Sequence, residues 1–130
     1  MKKRFIPVFL LLVVQLSQAQ SSQLIYGRVN RYNGPTNARY TIPASNIKIL
    51  LMESSYTGIR VDKTICNKAE YSSQVKVFMT DSKGEYNFKG LRRGTKYRLI
   101  ICDTKNGKVY STEIQTPASG STVRVPDRNI

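Results

Sequence analysis

The sequence predicts an all-β protein, a single antiparallel two-sheet sandwich of about seven strands that follows a cleaved signal peptide. Three observations predict it. Past residue 19 no segment of helix length carries an apolar period near 3.6. Apolar side chains instead alternate at period two, most strictly where Tyr97, Leu99 and Ile101 are interleaved with Arg98, Ile100 and Cys102. Between residues 80 and 97, a turn at Asp81–Gly84 and another at Gly94 bracket the alternating Tyr86 and Phe88, the arrangement of a hairpin with one buried face.

Residues 1–19 read as the signal peptide. Lys2, Lys3 and Arg4 precede an apolar run of about 12 residues, and small and polar residues follow at Ser17, Gln18 and Ala19. The run is shorter than the roughly 20 residues a membrane-crossing helix needs, and Pro7 interrupts it. Cleavage is expected near Ala19. No cysteine is close by to accept a lipid, so the expected product is a free chain, residues 20–130, of a length that suits one domain.

The first strand is expected over residues 24–30, with Ile25, Gly27 and Val29 on one face. Residues 31–45 contain Asn33, Gly34, Pro35, Asn37 and Pro43 and read as a long surface loop. In residues 46–53 both faces are apolar, since Ile47, Ile49 and Leu51 alternate with Lys48, Leu50 and Met52, which predicts a central strand. A weaker strand is expected over residues 59–66 from Ile59, Val61, Lys63 and Ile65. Residues 67–73 are polar, and Val75, Val77 and Met79 then lead into the hairpin. Past Gly94, residues 97–102 form a second central strand. Asn106-Gly107 is a strong hairpin signal, because both turn positions favour positive φ. Residues 109–115 return as its partner, and residues 122–125 offer a short last strand.

Composition excludes several functions. The chain has no histidine, which removes Ser-His and Cys-His nucleophile pairs and the commonest metal ligand. The eight acidic residues are dispersed, and Asp81-Ser82-Lys83-Gly84 supplies too few oxygens for calcium. No enzyme activity, metal or cofactor is expected. Loss of Lys2, Lys3 and Arg4 lowers the formal net charge from +13 to +10, still strongly basic for a small domain. In an exported protein that charge favours acidic polysaccharide or other envelope material and disfavours nucleic acid as a partner. Cys66 and Cys102 form either a disulfide closing a long loop or two separately buried thiols.

The succession Ile25, Gly27, Val29, then Ile47, Ile49, Leu51, then Thr80, Asp81, Gly84, Tyr86, Phe88, Leu91, Gly94 and Tyr97 resembles the carboxypeptidase-regulatory-like domains. It is similar also to the collagen-adhesin B-type repeats, and both share the transthyretin-like (prealbumin-like) sandwich. The resemblance covers most of residues 20–130 and implies that fold in an accessory or adhesive setting. It implies no activity, because the zinc peptidases that carry such domains hold their metal in a separate domain. Some collagen-adhesin-like repeats form an isopeptide bond. Arg28 stands where the lysine would be wanted and Ile101 where the acid would fall, so none is expected.

The candidate contact residues are Arg31, Tyr32, Arg39 and Tyr40, two Arg-Tyr pairs that flank the 31–45 loop. Exposed tyrosine beside arginine offers ring stacking and hydrogen bonds to a partner. The expected function is a noncatalytic binding module, secreted or periplasmic, that recognises protein or anionic polysaccharide at the cell envelope. The alternative is a structural spacer or assembly subunit of a surface or periplasmic complex, joined through sheet edges.

Overall fold

Period-two alternation becomes two packed sheets in the computed structural model, which describes residues 23–130; the predicted signal peptide lies outside them. The strands are β1 (Gln23–Asn33), β2 (Tyr40–Pro43), β3 (Lys48–Glu53), β4 (Lys76–Met79), β5 (Glu85–Leu91), β6 (Lys96–Asp103), β7 (Lys108–Gln115), β8 (Thr122–Arg124) and β9 (Arg128–Asn129). One sheet runs β4-β3-β6-β7, antiparallel throughout. The other is built around β1. The two-sheet sandwich is as the alternation predicts, with nine strands and a minority of parallel pairs.

β1 changes partners along its length. Residues 23–28 pair antiparallel with β5, from Gln23↔Leu91 to Arg28↔Glu85, and residues 30–33 pair antiparallel with β2. The change falls at Val29, whose N–H donates to the Gly84 carbonyl at 2.8 Å and whose carbonyl accepts from the Ala44 N–H at 3.0 Å. Gly84 has φ +73, and a Cβ there would collide with the Val29 carbonyl, so the turn requires glycine. Asp81 closes that turn by accepting from the N–H groups of Lys83 and Glu85, both at 2.9 Å. Along its other edge β1 takes two parallel partners, β8 with Ile25↔Val123 and β9 with Val29↔Arg128. Alternation in so short a C-terminal tail carries no sign of which strand it will join, or in which direction.

The predicted 31–45 loop is a hairpin instead. β1 continues to Asn33, a 3-10 turn spans Thr36–Ala38, and β2 returns with Arg31↔Ile42 and Asn33↔Tyr40. Gly34, at φ +87, reverses the chain. Turn residues clustered at 33–37 mask the strand formers Tyr40 and Ile42 that follow.

Between the sheets lie Ile25, Val29, Ile49, Leu51, Tyr86, Phe88, Leu99 and Ile101, all buried. Phe78 of β4 meets Phe88 of β5 edge to face, with ring centroids 6.1 Å apart. Leu50, Met52, Ile100 and Cys102 point the other way and are buried too, because the chain joining β3 to β4 covers that face with Ile65, Cys66 and Val75. This second apolar layer explains why β3 and β6 read as apolar on both faces. The expected strand over 59–66 is absent. A 3-10 helix, Lys63–Asn67, stands there, capped by the Asp62 carboxylate, which accepts from the Thr64 N–H at 2.9 Å. Ile65 and Cys66 are buried side by side, which a strand with one buried face cannot do. Cys66 is disulfide-bonded to Cys102 of β6, with Cα atoms 5.7 Å apart.

The β6–β7 turn also departs from the two-residue form expected of Asn106-Gly107. Residues 104–107 make the connection. Gly107 alone among them has positive φ, at 63°. The buried Asp103 carboxylate accepts from the Asn106 side chain at 2.8 Å and from its N–H at 3.4 Å, and so anchors Asn106 to the end of β6. No helix among the described residues is long and apolar enough to cross a membrane.

Candidate functional site

The hairpin β1–β2, the β6–β7 turn and the C-terminal β9 meet at one end of the sandwich and enclose a groove of about 460 Å³. Arg31, Tyr32 and Arg39 line it from the hairpin, Lys105, Asn106, Lys108 and Tyr110 from the turn and β7, and Asn129 and Ile130 from the end of the chain. Of the four contact residues predicted from the sequence, three therefore line one groove. Tyr40 does not. It stands 55% exposed on β2, its hydroxyl accepting from the Asn33 amide at 2.8 Å.

Two stacks organise the cations. The Arg39 guanidinium lies 4.9 Å from the centroid of the Tyr32 ring, and the Arg128 guanidinium 4.0 Å from that of Tyr110. Arg31 has an acidic neighbour, the fully buried Asp103 carboxylate, at 4.0 Å. Arg39, Lys105, Lys108 and Arg128 have no acidic side chain within 4.0 Å among the described residues. Three cations without an acidic neighbour, Arg39, Lys105 and Lys108, thus line the groove, Arg128 adjoins it through its stack on Tyr110, and Asp103 both holds Arg31 and anchors the turn that presents Lys105. Such a concentration of positive charge is electrostatically suited to an anion. No group of three metal-ligating side chains occurs among the described residues.

Another groove, about 420 Å³, crosses the outer face of the β1 sheet, where Tyr26, Arg28, Glu85, Lys89, Arg124 and Asp127 contribute to its lining. Its charges largely satisfy one another, with Arg28 3.0 Å from Glu85 and Arg124 3.5 Å from Asp127. The Tyr86 phenol, which also lines it, is pushed well above its ordinary pKa by burial and, to a lesser degree, by the Asp127 charge. This groove therefore offers an incoming charged group less than the basic one.

Sequence reasoning did not find Lys105, Lys108, Tyr110 or Arg128. They are about 70 to 100 positions from Arg31, and only the β6–β7 turn and the parallel addition of β9 bring them alongside it.

No family model matches the chain, and no curated protein matches it. Among solved structures the chain is similar to GBS52, the minor pilin in the Gram-positive pathogen Streptococcus agalactiae, with a TM-score of 0.51 and 21% identity. The match covers 85% of this chain and 45% of the pilin, so this chain spans less than half of that protein's length. At that identity the likeness is one of fold.

Proposed function

We propose that this chain is an exported, noncatalytic β-sandwich that serves as a subunit of a surface structure and joins its neighbours through strand edges. The observation that carries the reading is the fold likeness to a minor pilin over 85% of the chain. An open edge supports it. β2 pairs only with β1 among the described residues, and all four of its residues are exposed, Ile42 included. The signal-like residues 1–19 support export. The 80–97 motif, with its resemblance to carboxypeptidase-regulatory-like and collagen-adhesin B-type domains, supports an accessory or adhesive role for residues 20–130.

Light scattering across a concentration series tests the assembly. The chain is expected to form a defined oligomer, and Ile42→Lys, which sets a charge on the open edge, to weaken association about tenfold while leaving thermal unfolding unchanged. A strictly monomeric chain at every concentration overturns the assembly reading.

A second reading, recognition of envelope material, is favoured by the basic groove. Its stacked, uncompensated cations are a surface for an anionic partner, and a binding role is compatible with a place in a larger assembly.

A further inference from the structure

We propose that the groove between the Arg39–Tyr32 and Arg128–Tyr110 stacks is a binding site for a linear acidic polysaccharide, its carboxylate or sulfate groups paired with the two stacked guanidiniums and with Lys105 and Lys108. The inference rests on the recognition reading above and names the ligand class.

Three features of the groove carry it. The first is preorganisation. A guanidinium laid against a tyrosine ring has lost much of its rotamer freedom before any ligand arrives, and it still presents hydrogen-bonding edges to an anion. One stack is local to a hairpin and the other is built across the fold. Arg39 and Tyr32 approach each other through the β1–β2 hairpin, and Arg128 reaches Tyr110 only because β9 runs parallel to β1.

The second feature is the charge balance. Elsewhere on the surface Arg28, Arg60, Arg92 and Arg124 each have an acidic neighbour within 4.0 Å, and cations without one, such as Lys76 and Lys89, are not gathered into this groove. Around the groove the one acid near a cation is the buried Asp103, and it faces Arg31. An anion entering the groove meets positive charge without first displacing an internal partner, and several cations in one trough suit several anionic groups along one chain.

The third feature separates polysaccharide from protein. A protein partner draws its affinity from apolar anchors desolvated at the centre of an interface. Ile130 is the only aliphatic side chain lining this groove, and it is already buried. The rest of the lining offers charges, the amides of Asn106 and Asn129 and two phenols, groups that hydrogen-bond to hydroxyls as well as to anions.

The test is titration of the purified chain with polygalacturonate, heparin, poly-L-glutamate and neutral dextran at low and moderate salt. Both acidic polysaccharides are expected to bind, dextran to remain unbound, and the affinity to fall as salt rises. The double variant Arg39→Ala, Arg128→Ala is expected to lose at least about tenfold in affinity. The double variant Arg39→Lys, Arg128→Lys, which keeps the charge and loses the planar stack, is expected to lose about threefold. Lys76→Ala, Lys89→Ala removes the same charge from exposed positions outside the groove and is expected to change affinity less than about twofold. All variants alter exposed side chains, and their unfolding temperatures are compared with that of the parent chain. Equal losses in the groove and control alanine variants overturn the site. Tighter binding of poly-L-glutamate than of either polysaccharide, through the same arginines, overturns the ligand class and leaves the recognition reading standing. Failure of all three polyanions to bind overturns both.

Discussion

Gly27 and Tyr86 face each other across the β1–β5 pair, and the phenol ring fills the space a side chain at position 27 would occupy. A Cβ on Gly27 would lie 2.7 Å from the ring carbon that bears the hydroxyl. Here glycine is a packing choice, and it seats the phenol in the core. The consequence appears at alkaline pH. Burial favours the neutral phenol in the folded chain, so its pKa is raised above the ordinary value of 10.0 that it takes when unfolded. Below that value both states carry the proton and stability is unaffected. Above it the unfolded chain ionises first, and stability falls as pH rises. Tyr86→Phe is expected to flatten this decline, read from denaturant midpoints between about pH 9 and 11. At the acid end the sign reverses for Asp62. The Thr64 hydroxyl and N–H lower its pKa below 3.8, so its contribution is present above that value and is lost as pH falls through the folded-state pKa.

Among the elements, the β3–β4 connection does more than its sequence implies. It folds its 3-10 helix over the outer face of β3 and β6 and closes a second apolar layer. The Cys66–Cys102 disulfide ties that cover to β6 across a separation of 36 residues. A loop of that length restricts the unfolded chain by about 3 to 4 kcal/mol on the chain-entropy account. Cys66→Ser with Cys102→Ser is therefore expected to lose about that much stability, measured by denaturant unfolding against the oxidised parent. The pattern of Ile59, Val61 and Ile65 resembles a strand because alternation records apolar spacing alone. The carboxylate of Asp62, accepting from the Thr64 N–H, turns the backbone away from extension just before Ile65.

At the scale of the whole molecule, β1 is the common member of one sheet, shared among β5, β2, β8 and β9. The last two add short parallel pairings to β1 near the end of the chain, and Val125 and Ile130, just beyond them, are buried. A chain ending at residue 121 is expected to lose about 3 to 6 kcal/mol because the burial of those two side chains is gone, read as a lower denaturant midpoint. The same chain lacks Arg128 and half of the groove's stacked pairs, so its binding of polygalacturonate is expected to weaken as well.

The sequence alone determined the sandwich, the two central strands and the turns at Gly84 and Gly94, because alternation and turn chemistry act between residues a few positions apart. It also singled out Arg31, Tyr32, Arg39 and Tyr40 as flanking one loop, but the hairpin that sets the first three on one groove, and leaves Tyr40 off it, is a feature of the structure. Tertiary structure decided the rest: the partners of β1, the cover over β3 and β6, and the meeting of Arg39 and Tyr32 with Lys105, Lys108, Tyr110 and Arg128. Those arrangements depend on backbone hydrogen bonds between strands distant in the chain. Such bonds are alike for every side chain, so the residue pattern within each strand cannot specify which strand it will join.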